Sequence, residues 1–240
     1  MSVNIEPCVF SDAVKSFWKI RDTQARSQAD RGVSDQGTRT AVTGGHQLDG
    51  FISKIKDLIM DAGVSPSDIY TASDKELPGF FRPNKEWDIV VVSKRRLLAT
   101  VELKSQVGPS FGNNFNNRTE EAIGNAVDLW TAYREGAFKA SPQPWLGYLF
   151  LLEECPRSTA PVKVSEPHFL VFPEFKDASY AKRYELLCRK LVLERHYSSA
   201  CFILADREKA DLKKNYTEPA ADLASNQFLK QLINHVRSTK

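Results

Sequence analysis

Apolar residues recur at helical spacing in two early stretches, and between later helical stretches lie compact runs of Val, Ile and Leu. Over 11–29, Val14, Phe17, Trp18 and Ile20 mark one helical face; over 47–62, Leu48, Phe51, Ile52, Ile55, Leu58 and Ile59 mark another. The intervening stretch, 30–45, carries Gly, Ser, Thr, Asp and Gln but almost no core-forming side chain, as in a long loop. Ser65-Pro66-Ser67 ends the second helix, and strands are predicted at 69–72, 88–93 and 97–103, the last two forming a hairpin. Asn117-Arg-Thr-Glu120 has the spacing of a capping box opening a helix, whose apolar stripe is Ile123, Ala126, Trp130, Tyr133 and Ala137. Beyond Pro142 and Pro144 the pattern predicts a buried strand at 145–152, a strand near 168–172, a helix over 180–194, a strand at 200–205 and a last helix from Asp222. With no internal repeat and no Gly-, Ser- or Pro-rich linker, residues 1–240 read as one α/β domain with C-terminal additions.

Three charges interrupt the predicted hairpin. Asp88, Glu102 and Lys104 sit among Val, Ile and Leu, where a strand buries its neighbours, and a buried charge is costly unless it is paired or holds a metal. Glu102 and Lys104 are two apart and so share a strand face, which Asp88 can reach from the partner strand. Two carboxylates beside one ammonium group suit Mg²⁺ and a phosphodiester: the ion takes hard oxygen ligands and the lysine orients water or offsets charge on phosphorus. The pattern resembles the PD-(D/E)-x-K signature of the restriction-endonuclease-like fold, with Trp87 in place of the proline before Asp88. A bare D-x(n)-E-x-K also arises by chance, and a surface ion pair in a strand ladder is the alternative.

Residues 105–130, together with Glu102-Leu103-Lys104, resemble the XhoI family of type II restriction endonucleases, and Gly44-Gly-His-Gln-Leu-Asp-Gly-Phe51 resembles that family's upstream block. The likeness runs from about residue 10 to the C-terminus. It implies a restriction-endonuclease-like core at about 47–152, a central mixed β-sheet flanked by helices, with C-terminal α/β additions. It also implies Mg²⁺-dependent hydrolysis of double-stranded DNA at the palindrome CTCGAG, leaving 5′ overhangs and 5′-phosphates. Asp88, Glu102 and Lys104 become the catalytic residues, Asp88 and Glu102 the metal ligands. A palindrome is most simply read by a two-fold symmetric protein, so a homodimer is expected. A structure- or damage-specific nuclease of the same fold, or a DNA-binding protein without catalysis, are the other readings.

Candidate DNA contacts lie just past the hairpin. Asn113, Asn114 and Asn116 offer the side chain that pairs with adenine, and Arg118 the one that pairs with guanine, while Asn117 suits a helix cap. Turn formation is the alternative for the asparagines. Ser105 and Gln106 follow Lys104 closely enough to touch the DNA backbone. Phe111 and Phe115 could wedge between bases or anchor the segment to the core, and Asp49 and Glu121 are possible auxiliary carboxylates. Gly108-Pro-Ser-Phe-Gly112 lacks the G-K-[ST] of a phosphate-binding P-loop, and His46 is a further isolated candidate.

A net charge of +3 makes this no generic polybasic binder; any DNA-facing patch must come from local clusters such as Lys94-Arg95-Arg96, Lys182-Arg183, Arg189-Lys190 or Lys213-Lys214. Cys8, Cys155, Cys188 and Cys201 have neither zinc-site nor disulfide-framework spacing. The first residues lack the basic and apolar regions of a signal peptide, and no apolar run reaches the ~18 residues of a membrane span. A reduced, cytoplasmic protein with no membrane partner is expected.

Overall fold

A computed structural model describes residues 5–30 and 46–240; the remainder of the polar stretch 30–45 lies outside the described residues. The elements are α1 (Ser11–Asp30), α2 (Asp49–Asp61), β1 (Ile69–Tyr70), β2 (Glu76–Pro78), β3 (Asn84–Glu86), β4 (Ile89–Ser93), β5 (Arg96–Gln106), α3 (Phe111–Arg134), β6 (Trp145–Glu153), α4 (Tyr180–Leu193), β7 (Ser199–Ala205) and α5 (Ser225–Thr239). Five strands form one mixed sheet in the order β1-β4-β5-β6-β7. The pairs β1–β4 and β4–β5 are antiparallel; β5–β6 and β6–β7 are parallel. The parallel strands require crossovers, and α3 and α4 supply them.

The sheet is covered on both faces, which explains why β6 and β7 read as continuous apolar runs. One core gathers Phe17 and Trp18 of α1, Phe51, Ile55 and Ile59 of α2, and Phe228, Leu232 and Ile233 of α5. The other gathers Ala126 and Leu129 of α3, Tyr184 and Cys188 of α4, and Tyr148 and Phe150 of β6. Gly147 is needed in β6 because a Cβ there would lie 2.3 Å from the Trp145 ring and 3.0 Å from Phe228. Among the described residues no helix is long and apolar enough to cross a membrane.

The hairpin turns at Lys94 and Arg95, both at positive φ (52° and 62°), the two-residue geometry whose twist matches antiparallel strands. Val91 pairs with Ala99 but Val92 with Leu97, so Leu98 is an extra residue in β5. Beyond this bulge, Ala99, Val101 and Leu103 point into the α1–α2–α5 core.

Four local expectations are corrected. The helix read as opening at Asn117 begins at Phe111, so the asparagine-rich segment is its first two turns and Asn117 lies inside it. Phe111 stacks on Tyr180 and Phe115 meets Tyr184 edge-on; burying this i, i+4 aromatic pair outweighs the weak helix propensity of Gly and Asn. Residues 168–172 form no strand: flanking Pro167 and Pro173 lack amide donors, and Phe169, Leu170 and Phe172 stand exposed. The last helix starts at Ser225, after a 3-10 turn at Ala221–Leu223. Finally, β2 and β3 form a separate two-stranded ribbon, leading into Asp88, where no strands were predicted.

Candidate active site

Alternation along β5 places Glu102, Lys104 and Gln106 on the face opposite Leu103. Ile89 pairs with Val101, which brings Asp88, immediately before β4, level with Glu102. The Leu103 amide donates to Asp88 Oδ2 at 2.7 Å, fixing that carboxylate against the backbone between Glu102 and Lys104. Lys104 Nζ forms an ion pair with Glu102 Oε1. The three residues singled out in the sequence therefore meet at one place.

A fourth charge was missed. Lys85 of β3 brings its Nζ to 2.6 Å from Glu102 Oε2, donates to the Glu86 carbonyl at 2.8 Å and lies 4.1 Å from the centre of the Trp87 ring. Trp87, standing where the signature has proline, is buried and supports this lysine. The signal in the sequence was slight: Lys85 lies in a strand of three residues, Asn84–Glu86, two positions before Trp87.

The electrostatics divide the two carboxylates. Burial alone would raise the Glu102 pKa, but Lys104 and Lys85 outweigh it and hold Glu102 below its ordinary value. Burial, followed by the negative charge of Glu102, pushes Asp88 up to about 6. Burial would lower Lys104, yet Glu102 and Asp88 raise it, while Lys85 ends below its ordinary value because burial prevails. Asp88 thus holds its proton mainly because it is buried, with the charge of Glu102 adding to the effect and Lys104, the Leu103 amide and Lys85 opposing it.

Asp88 and Glu102 fit Mg²⁺ as a pair of hard oxygen donors. Among the described residues no group of three or more His, Cys, Asp or Glu could hold a metal, so further ligands would be water or phosphate oxygens, as this ion favours.

Around this centre, Arg118 of α3 is partly buried, pairs with Glu121 and acts electrostatically on Lys104. Glu121 thereby stands one residue removed from the site. Asn113 and Asn116 are exposed on the first turns of α3 and Asn114 is half-buried. Asn113 also lines a cavity of about 330 Å³ with Arg157, a residue that sequence reasoning did not single out. Gln106 is buried: the Tyr184 hydroxyl donates to its Oε1 and its Nε2 donates to the Ser110 carbonyl at 3.3 Å. Asp49 begins α2, which packs on the opposite face of the sheet, and its Oδ2 lies 2.8 Å from His46 Nδ1.

The ribbon carrying Lys85 is anchored by Asp128 of α3. This buried carboxylate accepts from the Phe80 and Phe81 amides at 2.7 and 2.8 Å and from Arg82 Nε at 2.7 Å. Arg82 also donates to Asn125 Oδ1 at 2.7 Å. Gly79 is required at this junction, since a Cβ there would fall 2.4 Å from Asp128 Oδ2.

A family model described as restriction endonuclease XhoI matches residues 27–218. The chain belongs to that family. It is 56% identical over 207 residues to the type II restriction enzyme BstVI of Geobacillus stearothermophilus, covering 84% of this chain and 92% of that protein. It is 47% identical over 183 residues to the type II restriction enzyme XhoI of Xanthomonas vasicola, covering 75% and 73% respectively. It is 48% identical over 159 residues to the type II restriction enzyme AbrI of Azospirillum brasilense, covering 66% and 71%. No solved structure matches the chain. Membership in the XhoI family makes it an enzyme of the type II restriction class, a site-specific deoxyribonuclease.

Proposed function

We propose that this enzyme hydrolyses phosphodiester bonds of double-stranded DNA at the palindrome CTCGAG, with Mg²⁺, leaving 5′ overhangs that end in 5′-phosphates. The observation that carries the chemistry is the meeting of Asp88, Glu102 and Lys104 on one face of the β4–β5 hairpin. Asp88 and Glu102 would hold the metal, whose role is to polarise the scissile phosphate and stabilise the leaving oxygen. Lys104 holds and orients the attacking water next to the carboxylates. The water oxygen bonds to phosphorus and gives up a proton to solvent, the P–O3′ bond breaks, and the 3′ oxygen takes a proton from solvent and leaves as a hydroxyl. Family membership, together with relatives named as type II restriction enzymes, supports a fixed recognition site.

Reading of the site is assigned to the first turns of α3, where Asn113, Asn114, Asn116 and Arg118 supply purine-recognising side chains. A two-fold symmetric site is met by a homodimer, each protomer cutting one strand.

The test is digestion of a plasmid carrying one CTCGAG site, with Mg²⁺, and sequencing of the ends. One double-strand break inside that site is the expected result, with the protein sedimenting as a dimer. Sequence-independent nicking, or cutting directed by junctions or lesions, would replace the specificity while keeping the metal centre. Wild-type cleavage by Glu102→Ala or Lys104→Ala would overturn the residue assignment.

A further inference from the structure

Both oxygens of Glu102 are taken by ammonium groups: Oε1 by Lys104, and Oε2 by Lys85 at 2.6 Å. Each oxygen keeps a second lone pair, but a metal bound there would stand against an ammonium charge, so metal and lysine compete for Glu102. Lys104 sits on the same strand as Glu102, two residues along, and is held in register by the parallel pairing of β5 with β6. Lys85 comes instead from the β2–β3 ribbon, which lies outside the main sheet. Its ammonium group also has other partners within reach, the Glu86 carbonyl and the Trp87 ring. Lys85, its side chain 11% exposed, is therefore the less constrained of the two partners.

We propose that Lys85 is a resident counter-ion of the metal site, occupying Glu102 Oε2 until a divalent cation takes that oxygen. It acts as a positioning residue through Glu102, and this assignment rests on the reading of Asp88 and Glu102 as metal ligands. The consequence is a competition between a divalent ion and the Lys85 ammonium group for Glu102 Oε2. Removing the Lys85 charge therefore tightens metal binding, although it removes a compensating charge from the metal-free protein.

The experiment is titration calorimetry of the purified chain with MgCl₂ in the absence of DNA, on wild type, Lys85→Met and Lys85→Gln, alongside thermal unfolding in EDTA. Lys85→Gln keeps an uncharged hydrogen-bond donor, one bond shorter in reach, and covers the case in which Lys85→Met fails to fold. The expected result is Mg²⁺ affinity raised about tenfold or more in the uncharged variants, and a melting temperature in EDTA below wild type. Lys85→Arg, retaining the charge, should stay close to wild-type affinity. Asp88→Asn, which retains an acceptor for the Leu103 amide, should abolish the isotherm in either background. Unchanged or weaker Mg²⁺ affinity in both uncharged variants, with binding lost in Asp88→Asn, would overturn the counter-ion role alone. Binding that survives Asp88→Asn would overturn the metal assignment, and the counter-ion role with it.

Discussion

Leu103 donates its amide to Asp88 while its side chain is buried on the far side of the sheet. One apolar residue thus ties a carboxylate from the neighbouring strand to the segment bearing Glu102 and Lys104. The charges are held by backbone as much as by one another, and this rigidity keeps like charges close in the absence of metal.

Asp88 should make the metal-free protein less stable as pH rises. Its folded pKa of about 6 lies above the ordinary carboxylate value of about 3.9, so the native state holds the proton more tightly. Below about pH 4 the group is protonated in both states and contributes nothing. Between about 4 and 6 stability falls, and above 6 the penalty is complete, about 3 kcal/mol. Urea unfolding in EDTA at pH 4.5 and pH 7 should show that Asp88→Asn gains on wild type at the higher pH. An equal difference at both values would mean that Asp88 is not so perturbed.

Asp128→Ala should destabilise the chain by about 3 kcal/mol, because two backbone amides and Arg82 lose a common buried acceptor. Amide hydrogen exchange at Phe80 and Phe81 should accelerate more than at strand β6. Unaltered exchange there would show that the ribbon is held by other contacts.

Tyr184→Phe should cost about 1–2 kcal/mol by leaving Gln106 Oε1 without its buried donor. A double-mutant cycle with Gln106→Leu should recover most of that loss. Additive effects would place the worth of Gln106 outside this contact, consistent with a role on DNA instead.

Asn113→Ala and Asn116→Ala should each weaken binding to the recognition site by about 1–3 kcal/mol, measured with Ca²⁺ in place of Mg²⁺. Both positions are exposed, so unfolding free energy should change by no more than about 0.5 kcal/mol. Equal loss on unrelated DNA would reassign them to the phosphate backbone.

The charged hairpin was legible because chemistry and periodicity conflict there: charges at Asp88, Glu102 and Lys104 stand where apolar residues belong. Lys85 was not, since its partner Glu102 is 17 residues away and becomes a neighbour only when the ribbon folds onto the hairpin. The start of α3 was misread for a related reason. Gly112, Asn113 and Asn114 suggest a turn locally, and only the aromatic partners Tyr180 and Tyr184 on α4 show why the chain coils there. Residues 168–172 show the reverse case, a β-prone composition with no strand beside it to pair.

The extra residue at Leu98 sets the phase of everything downstream in β5. Inserting or deleting one residue between Leu98 and Glu102 would exchange the two faces, turning Glu102 and Lys104 into the α1–α2–α5 core and Leu103 toward the face that Asp88 and Lys85 share. Point substitutions along this strand can be absorbed by repacking, whereas a change of length cannot. The number of residues separating the bulge from Lys104 is in this sense as much a part of the active site as the charges it carries.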